Sequence, residues 1–246
     1  MAVSFICTYL SVFDVAARFV LGEPDLGNHN PALWKTPAEL KDLSVSGAPG
    51  RKLSYFGYEF EVPWDDVDEQ KTRVIGSLQL IAFRSGKAIM LSRVPPKRLV
   101  NGLLDEAMKR GTLTAWWIKW LYGDDTLESD YNFVHAALET TPSKITLLTP
   151  RPKAFRETTL LLYKSTFVLN SNSDIFFIQR KDFRGFQYGD PQSHERRIVD
   201  DLFADNGRLE FTFLSGKHNV GISQPEINRV IQSVRVAPQQ GSNVDH

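Results

Sequence analysis

His194-Glu195 opens the zinc-protease pattern H-E-x-x-H, in which two histidines one helical turn apart hold a metal and the glutamate works on its bound water. The position that needs the second histidine is Ile198, so that site cannot form. The five histidines stand at 29, 135, 194, 218 and 246, and no two share one helical face. A G-x-S-x-G nucleophile elbow, a G-x-x-x-x-G-K-[ST] phosphate loop and a G-x-G-x-x-G dinucleotide turn are all missing. Gln187, Tyr188, His194 and Asp200 gather amide, phenol, imidazole and carboxyl groups in one short stretch, but no nucleophile in a recognisable setting accompanies them. Catalytic residues are therefore assigned to none of these positions.

Dense carboxylates could hold a cation. Asp65, Asp66, Asp68 and Glu69 follow Trp64, yet the spacing and central glycine of a calcium loop are absent, which favours a hydrated turn. Asp124, Asp125, Glu128 and Asp130 precede a helical pattern, where acidic side chains stabilise the free N–H groups of the first turn. Cys7 is the single cysteine, which excludes an intrachain disulfide and a cysteine-based zinc site. The reading assigns no metal ligands and no cofactor. Lys plus Arg and Asp plus Glu both number 29, so there is no basic excess for a phosphate backbone and nucleic acid is not an expected partner. The short clusters at 151–156, 180–184 and 196–197 read as solvated faces.

The residues best suited to binding are Trp116, Trp117 and Trp120. With Leu113 and Leu121 they fall at offsets 0, 3, 4, 7 and 8, a broad aromatic stripe on a helix. Such a stripe either packs on a sheet or lines a ligand groove, a partner surface or a membrane interface, since indole has an apolar body and a polar N–H.

Residues 2–21 are apolar except for Ser4, Thr8, Ser11, Asp14 and Arg18, whose spacing of 4, 3, 3 and 4 draws one polar stripe on a helix. The length suits a bilayer span of about 20 residues. Against it, two charges near the bilayer centre cost roughly 2.5–3.5 kcal/mol each. Membrane anchor and buried or interface helix both stay open. Residues 23–52 are rich in Gly, Pro, Asn and Ser and read as a linker or arm, with a short helix at 36–42.

These candidates need a scaffold. Residues 53–63 read as one strand, 74–83 and 87–94 as a hairpin closed by Arg84-Ser85-Gly86, and 98–109, 113–122, 129–138 and 151–168 as helices. Strands return at 174–181 and 183–188. Asn206-Gly207 then closes a hairpin, because a two-residue type I′ turn needs positive φ at both positions; that register sets Asp205 opposite Arg208, Ala204 opposite Leu209 and Leu202 opposite Phe211. Ser223 and Glu226 form a capping box ahead of Ile227, Val230, Ile231 and Val234, one apolar stripe. Segregated strands and helices predict an α+β fold: an antiparallel sheet covered by helices, with a helical insert at about 97–140 and a C-terminal amphipathic helix. One domain is expected over 53–236, with a disordered tail at 237–246.

The aromatic-Gly-x-x-Phe-x-x-Pro-like segment Tyr55–Trp64, the strands within 174–215 and the closing helix Ile227–Val236 together resemble the PsbP-like α/β/α sandwich group. The resemblance covers about 53–94 and 174–236, and the Trp-rich insert departs from it. It implies a non-catalytic accessory or binding module, often on the outer side of a membrane, and carries over no functional residue.

The leading expectation is a non-enzymatic, membrane-associated domain that binds a protein partner or a small ligand, facing the periplasm or cell exterior. Two alternatives stand beside it. One is a soluble, cytoplasmic hydrolase with its site between the sheet and the helical insert. The other is an oligomerising structural protein that buries residues 2–21 in a partner subunit.

Overall fold

The computed structural model describes residues 31–237, apart from positions 49, 110, 147–148, 169–173, 194–196, 206 and 217–220. The apolar segment 2–21, His194, Asn206 and the tail beyond 237 lie outside the described residues. Among the described residues the chain forms six α-helices and eleven strands, the α+β architecture that segregated periodicities predict. The strands are β1 (Ala38–Glu39), β2 (Arg51–Tyr55), β3 (Tyr58–Val62), β4 (Arg73–Ile75), β5 (Leu78–Ala82), β6 (Ala88–Val94), β7 (Ile175–Gln179), β8 (Arg184–Tyr188), β9 (Arg197–Ala204), β10 (Gly207–Leu214) and β11 (Arg235–Val236). The helices are α1 (Arg98–Lys109), α2 (Thr112–Tyr122), α3 (Asp124–Leu127), α4 (Asp130–Glu139), α5 (Arg151–Phe167) and α6 (Gln224–Ser233). The larger sheet runs β1-β7-β8-β9-β10-β6-β5-β4 and the smaller β11-β3-β2.

Three sequence expectations need correction. Residues 53–63 are not one strand: the chain reverses at Phe56-Gly57, with φ 55 and 80, and Tyr55 pairs with Tyr58. Both turn positions lie in the left-handed region. Gly57 adopts it freely, while Phe56 accepts roughly 1–2 kcal/mol of steric strain and packs its ring on the core in return. A bulky residue in that position hides the turn from a composition reading. Residues 74–83 likewise split, at Gly76 (φ 61), into β4 and β5. The helix expected at 36–42 is absent; β1 forms there and sits beside β7. Seven residues are too few to hold a helix without tertiary help, and the sheet supplies the competing hydrogen bonds.

The chain divides into two compact units. One comprises Pro95–Phe177 with residues 31–38 and the hairpin tip at 205–207; the other comprises Glu39–Val94, Ile178–Ala204 and Arg208 onward.

In the second unit the core lies between the two sheets and α6. Phe60 of β3 meets Phe211 of β10 edge-on at 5.2 Å, and Ile227, Val230, Ile231 and Val234 are all buried, as their spacing predicts. The capping box forms: one Glu226 carboxylate oxygen accepts from the Ser223 N–H at 2.7 Å and hydroxyl at 2.9 Å. The other oxygen accepts from Trp64 Nε1 at 2.7 Å and Lys87 Nζ at 2.8 Å. One carboxylate thus caps a helix and ties it to the sheet. The segment before β2 is also fastened, since Asn228 donates to the Asp42 and Ser44 carbonyls at 2.8 and 2.7 Å. Behind Asn228 a buried amide ladder runs through Gln224 to Gln187.

In the first unit, helices α1, α2, α4 and α5 enclose a separate core of Val100, Leu121, Phe133, Ala137 and Leu160. Lys164 of α5 is fully buried there. Its ammonium donates to the carbonyls of Leu138 and Thr140 at the end of α4, at 2.9 and 2.8 Å, and to those of Leu33 and Lys35, at 3.2 and 2.6 Å. A cation at a helix C-terminus satisfies carbonyls that have no intrahelical partner, and here the same cation also fixes the incoming chain.

Candidate functional site

Helix α2 begins and ends on glycines that no other residue replaces easily. Gly111 has φ 124 and Gly123 φ 76, and the Gly123 N–H closes the last turn on the Lys119 carbonyl. Between them the sequence Thr-Leu-Thr-Ala-Trp-Trp-Ile-Lys-Trp-Leu-Tyr is apolar nearly all round. A helix of that kind normally lies buried on every side, but α2 does not. Ala115, Leu121 and Tyr122 are buried, and Trp117 and Ile118 pack on the unit's core. Leu113, Trp116 and Trp120 stand 81%, 64% and 57% exposed. Offsets of 0, 3 and 7 place these three on one stripe facing solvent.

The predicted stripe is therefore two stripes. Trp116 and Trp120 share the outer one. Trp117 turns inward and meets Phe155 of α5 edge-on at 4.9 Å. Phe155 is itself partly exposed, as is Leu162 one heptad further along α5, so exposed apolar groups occur on α5 as well as α2. Among the described residues, Lys119 flanks the outer stripe with no ion-pair partner. Of the exposed tryptophans in the described chain, Trp34, Trp116 and Trp120, all three belong to the helical unit.

The polar stretch at 187–200 is arranged differently. Gln187 of β8 lies directly across from Asp200 of β9, while Tyr188 points to the opposite face and donates to Asp201 Oδ2 at 3.2 Å. Arg208 reaches the same oxygen at 3.3 Å. Among the described residues neither Asp200 oxygen has a hydrogen-bond partner. Burial, and secondarily the neighbouring Asp201, pushes the Asp200 carboxyl well above the usual range. Burial also raises Asp201 to about 6, against the pull of Arg208. Strand alternation did not predict adjacent acids buried on both faces. Perturbed carboxyls often mark active sites, but these two are 0% and 2% exposed, which leaves no face on which a substrate meets them.

The other acidic residues have local work. Asp66 accepts from the Ser85 N–H at 2.6 Å, and Asp68 from the N–H groups of Gln70 and Lys71, so these acids stitch a turn. Asp124 and Asp125 occupy the first turn of α3. Asp130 does more than its position suggested: buried at the start of α4, it accepts from the Leu99 and Val100 N–H groups, both at 3.1 Å, and so caps α1 from another helix. Among the described residues no group of three or more His, Cys, Asp or Glu is placed to hold a metal.

No protein-family model matches the chain, and neither the curated proteins nor the solved structures contain a match to it. No helix among the described residues is long and apolar enough to cross a membrane; the segment expected to do so, 2–21, lies outside them.

Proposed function

We propose that this chain is a non-catalytic binding module that works at a membrane surface, with Leu113, Trp116 and Trp120 of α2 seated at the boundary between headgroups and acyl chains. The observation that carries this reading is the outward stripe itself: three large apolar side chains on two turns of a helix whose opposite face is already satisfied by a core. Burying a large apolar side chain contributes roughly 1.5–3 kcal/mol, so a stripe of three gains substantially from cover. Tryptophan suits an interface better than a hydrocarbon core, because its N–H keeps a polar partner while the ring is buried. The apolar sequence at 2–21 supports the same setting, as a second element able to enter lipid. The PsbP-like resemblance, a fold-level analogy, agrees with an accessory role.

The test is flotation of the full chain with phosphatidylcholine–phosphatidylglycerol vesicles, compared with the double variant Trp116→Gln, Trp120→Gln. The reading expects the double variant to float several-fold less. Equal flotation of both proteins would remove α2 from the membrane contact. A double variant that floats as wild type does but drops out of a protein complex would favour a protein partner instead.

A further inference from the structure

We infer that the face shared by α2 and α5 recognises an anionic bilayer, with Lys119, Arg151 and Lys153 on headgroup phosphates and the apolar side chains between them in lipid. This rests on the interfacial reading of α2 and names the class of lipid it meets. The charge pattern of the two helices carries it. The whole chain balances 29 basic against 29 acidic residues, yet the helices that bear the exposed apolar groups are one-sided. Helix α2 contains Lys119 and no acid. Helix α5 contains Arg151, Lys153, Arg156 and Lys164 against Glu157 alone. Glu157 is buried, paired with Arg156 at 3.2 Å, and accepts from the Thr140 hydroxyl at 3.0 Å. Neither helix therefore presents a carboxylate to solvent. Lys119, Arg151 and Lys153 are exposed and, among the described residues, have no ion-pair partner.

The cations are also placed for a membrane contact. At about 100° of helical rotation per residue, Lys119 and Trp117 fall on opposite flanks of the stripe formed by Leu113, Trp116 and Trp120. Trp117 leads across to Phe155. On α5, Arg151, Phe155 and Leu162 follow at offsets 0, 4 and 11, one outward stripe of exposed side chains. The apolar groups thus lie between a lysine on one side and an arginine on the other. The Phe133 ring of α4 meets those of Tyr122 and Tyr163, at 5.9 and 4.7 Å; with the contact of Trp117 on Phe155, this makes α2 and α5 run in the same direction. Arg151 and Lys153 accordingly stand towards the N-terminal end of α2, away from Asp124 and Asp125, which follow its C-terminal end. Lysine and arginine lay their stems along apolar surface while their charged heads reach outward, and each cation beside anionic lipid strengthens binding by about five-fold. A zwitterionic surface would engage the tryptophans and leave these cations unused.

The test measures partition of the full chain onto vesicles of phosphatidylcholine alone and of phosphatidylcholine with phosphatidylglycerol. Wild type is compared with the triple variant Lys119→Gln, Arg151→Gln, Lys153→Gln. A second triple variant, Lys52→Gln, Arg84→Gln, Lys181→Gln, removes the same charge from exposed positions of the other unit. The inference expects wild type to prefer the anionic vesicles by roughly ten-fold or more. The first triple variant should lose most of that preference and bind phosphatidylcholine as wild type does, while the second keeps it. Wild type alone supplies a further readout that needs no variant to fold: raising salt from about 0.1 M to about 1 M shortens the screening length from about 10 Å to about 3 Å and should erase the preference. Equal binding of wild type to both vesicles, or equal losses in the two triple variants, would overturn the inference. Self-association in buffer that Trp116→Gln, Trp120→Gln abolishes, with no binding to either vesicle, would give the face to a second copy and overturn it too. The two readings fail separately. Equal binding to both vesicles that the tryptophan variant loses keeps the interfacial role and sinks the lipid class. A preference for anionic vesicles that the first triple variant loses and the tryptophan variant retains in full does the reverse.

Discussion

Trp116 and Trp117 are neighbours in the chain and occupy opposite environments: the first is 64% exposed, while the second packs edge-to-face on Phe155 at 4.9 Å. One residue of helical rotation, about 100°, separates a side chain that holds the fold from one that is free to bind. Substitution separates the two roles. Trp117→Ala is expected to lower stability by about 2–4 kcal/mol, the range for removing a large ring that a core covers on one side. Trp116→Ala is expected to stay within about 0.5 kcal/mol of wild type, as surface substitutions do. Urea unfolding followed by circular dichroism measures both. Equal losses at the two positions would place Trp116 in the core.

The buried Asp200 carboxyl makes stability depend on pH in an unusual direction. Its folded-state value is raised above the ordinary 3.8, so the folded protein keeps a proton that the unfolded chain has released, and stability falls as pH rises above the ordinary carboxyl range. Asp201 adds the same sign between 3.8 and about 6. Asp200→Asn removes the ionisable group while keeping its shape. It should raise the thermal midpoint at neutral pH, with the gain shrinking as pH falls through about 4, the ordinary carboxyl value, below which the wild-type acid is protonated in both states. A variant whose midpoint differs from wild type equally at both pH values would show that Asp200 does not titrate in this way.

Lys164 is a buried cation whose four carbonyl partners come from two parts of one unit. Lys164→Met leaves those carbonyls without a donor, at a penalty of about 1–3 kcal/mol for each that stays dry, and is expected to be among the most destabilising single changes in the helical unit. Burial lowers the ammonium to about 8 from its usual 10.5. The unfolded chain therefore holds the proton that the folded chain gives up between those values, so wild type gains stability relative to Lys164→Met as pH rises through that window. Denaturant midpoints at pH 7 and pH 10 test the sign; a constant difference contradicts it.

Asp130 caps α1 across a gap of about thirty residues in sequence. Asp130→Ala should cost about 0.5–2 kcal/mol, as loss of a helix cap does, and should speed amide exchange at Leu99 and Val100 before it affects the middle of α1. Unchanged exchange at those two positions would show that the carboxylate does not hold them.

How much of this was legible in the sequence depends on whether the physics is local. The capping box at Ser223 and Glu226 and the four-residue stripe behind it could be read directly, because every participant lies within three turns. The four long helices could be placed for the same reason. Phe56-Gly57 was missed because a phenylalanine in the left-handed region is tolerated only when its ring finds a core, which is long-range information. Asp130 read as an acid at the start of its own helix and Lys164 carried no signal, because their N–H and carbonyl partners lie far away in the chain. The Trp stripe was half legible. Offsets of 3 and 4 merge two adjacent faces, and on a helix that is apolar all round the spacing does not say which face a neighbour covers. Asp200 and Asp201 break strand alternation outright, and nothing in their local sequence signals that both sides of β9 are closed.

The central claim is that the outer stripe of α2 meets lipid. Brominated phosphatidylcholine in the vesicles quenches indole emission from rings at acyl-chain depth and leaves rings in water or in the protein core bright. The full chain should be quenched on binding, and replacing Trp116 and Trp120 together with Phe, which keeps the stripe apolar, should remove most of that quenching while Trp64 and Trp117 stay bright. Quenching that is the same in wild type and in the double variant, on vesicles that both proteins bind, would contradict the account.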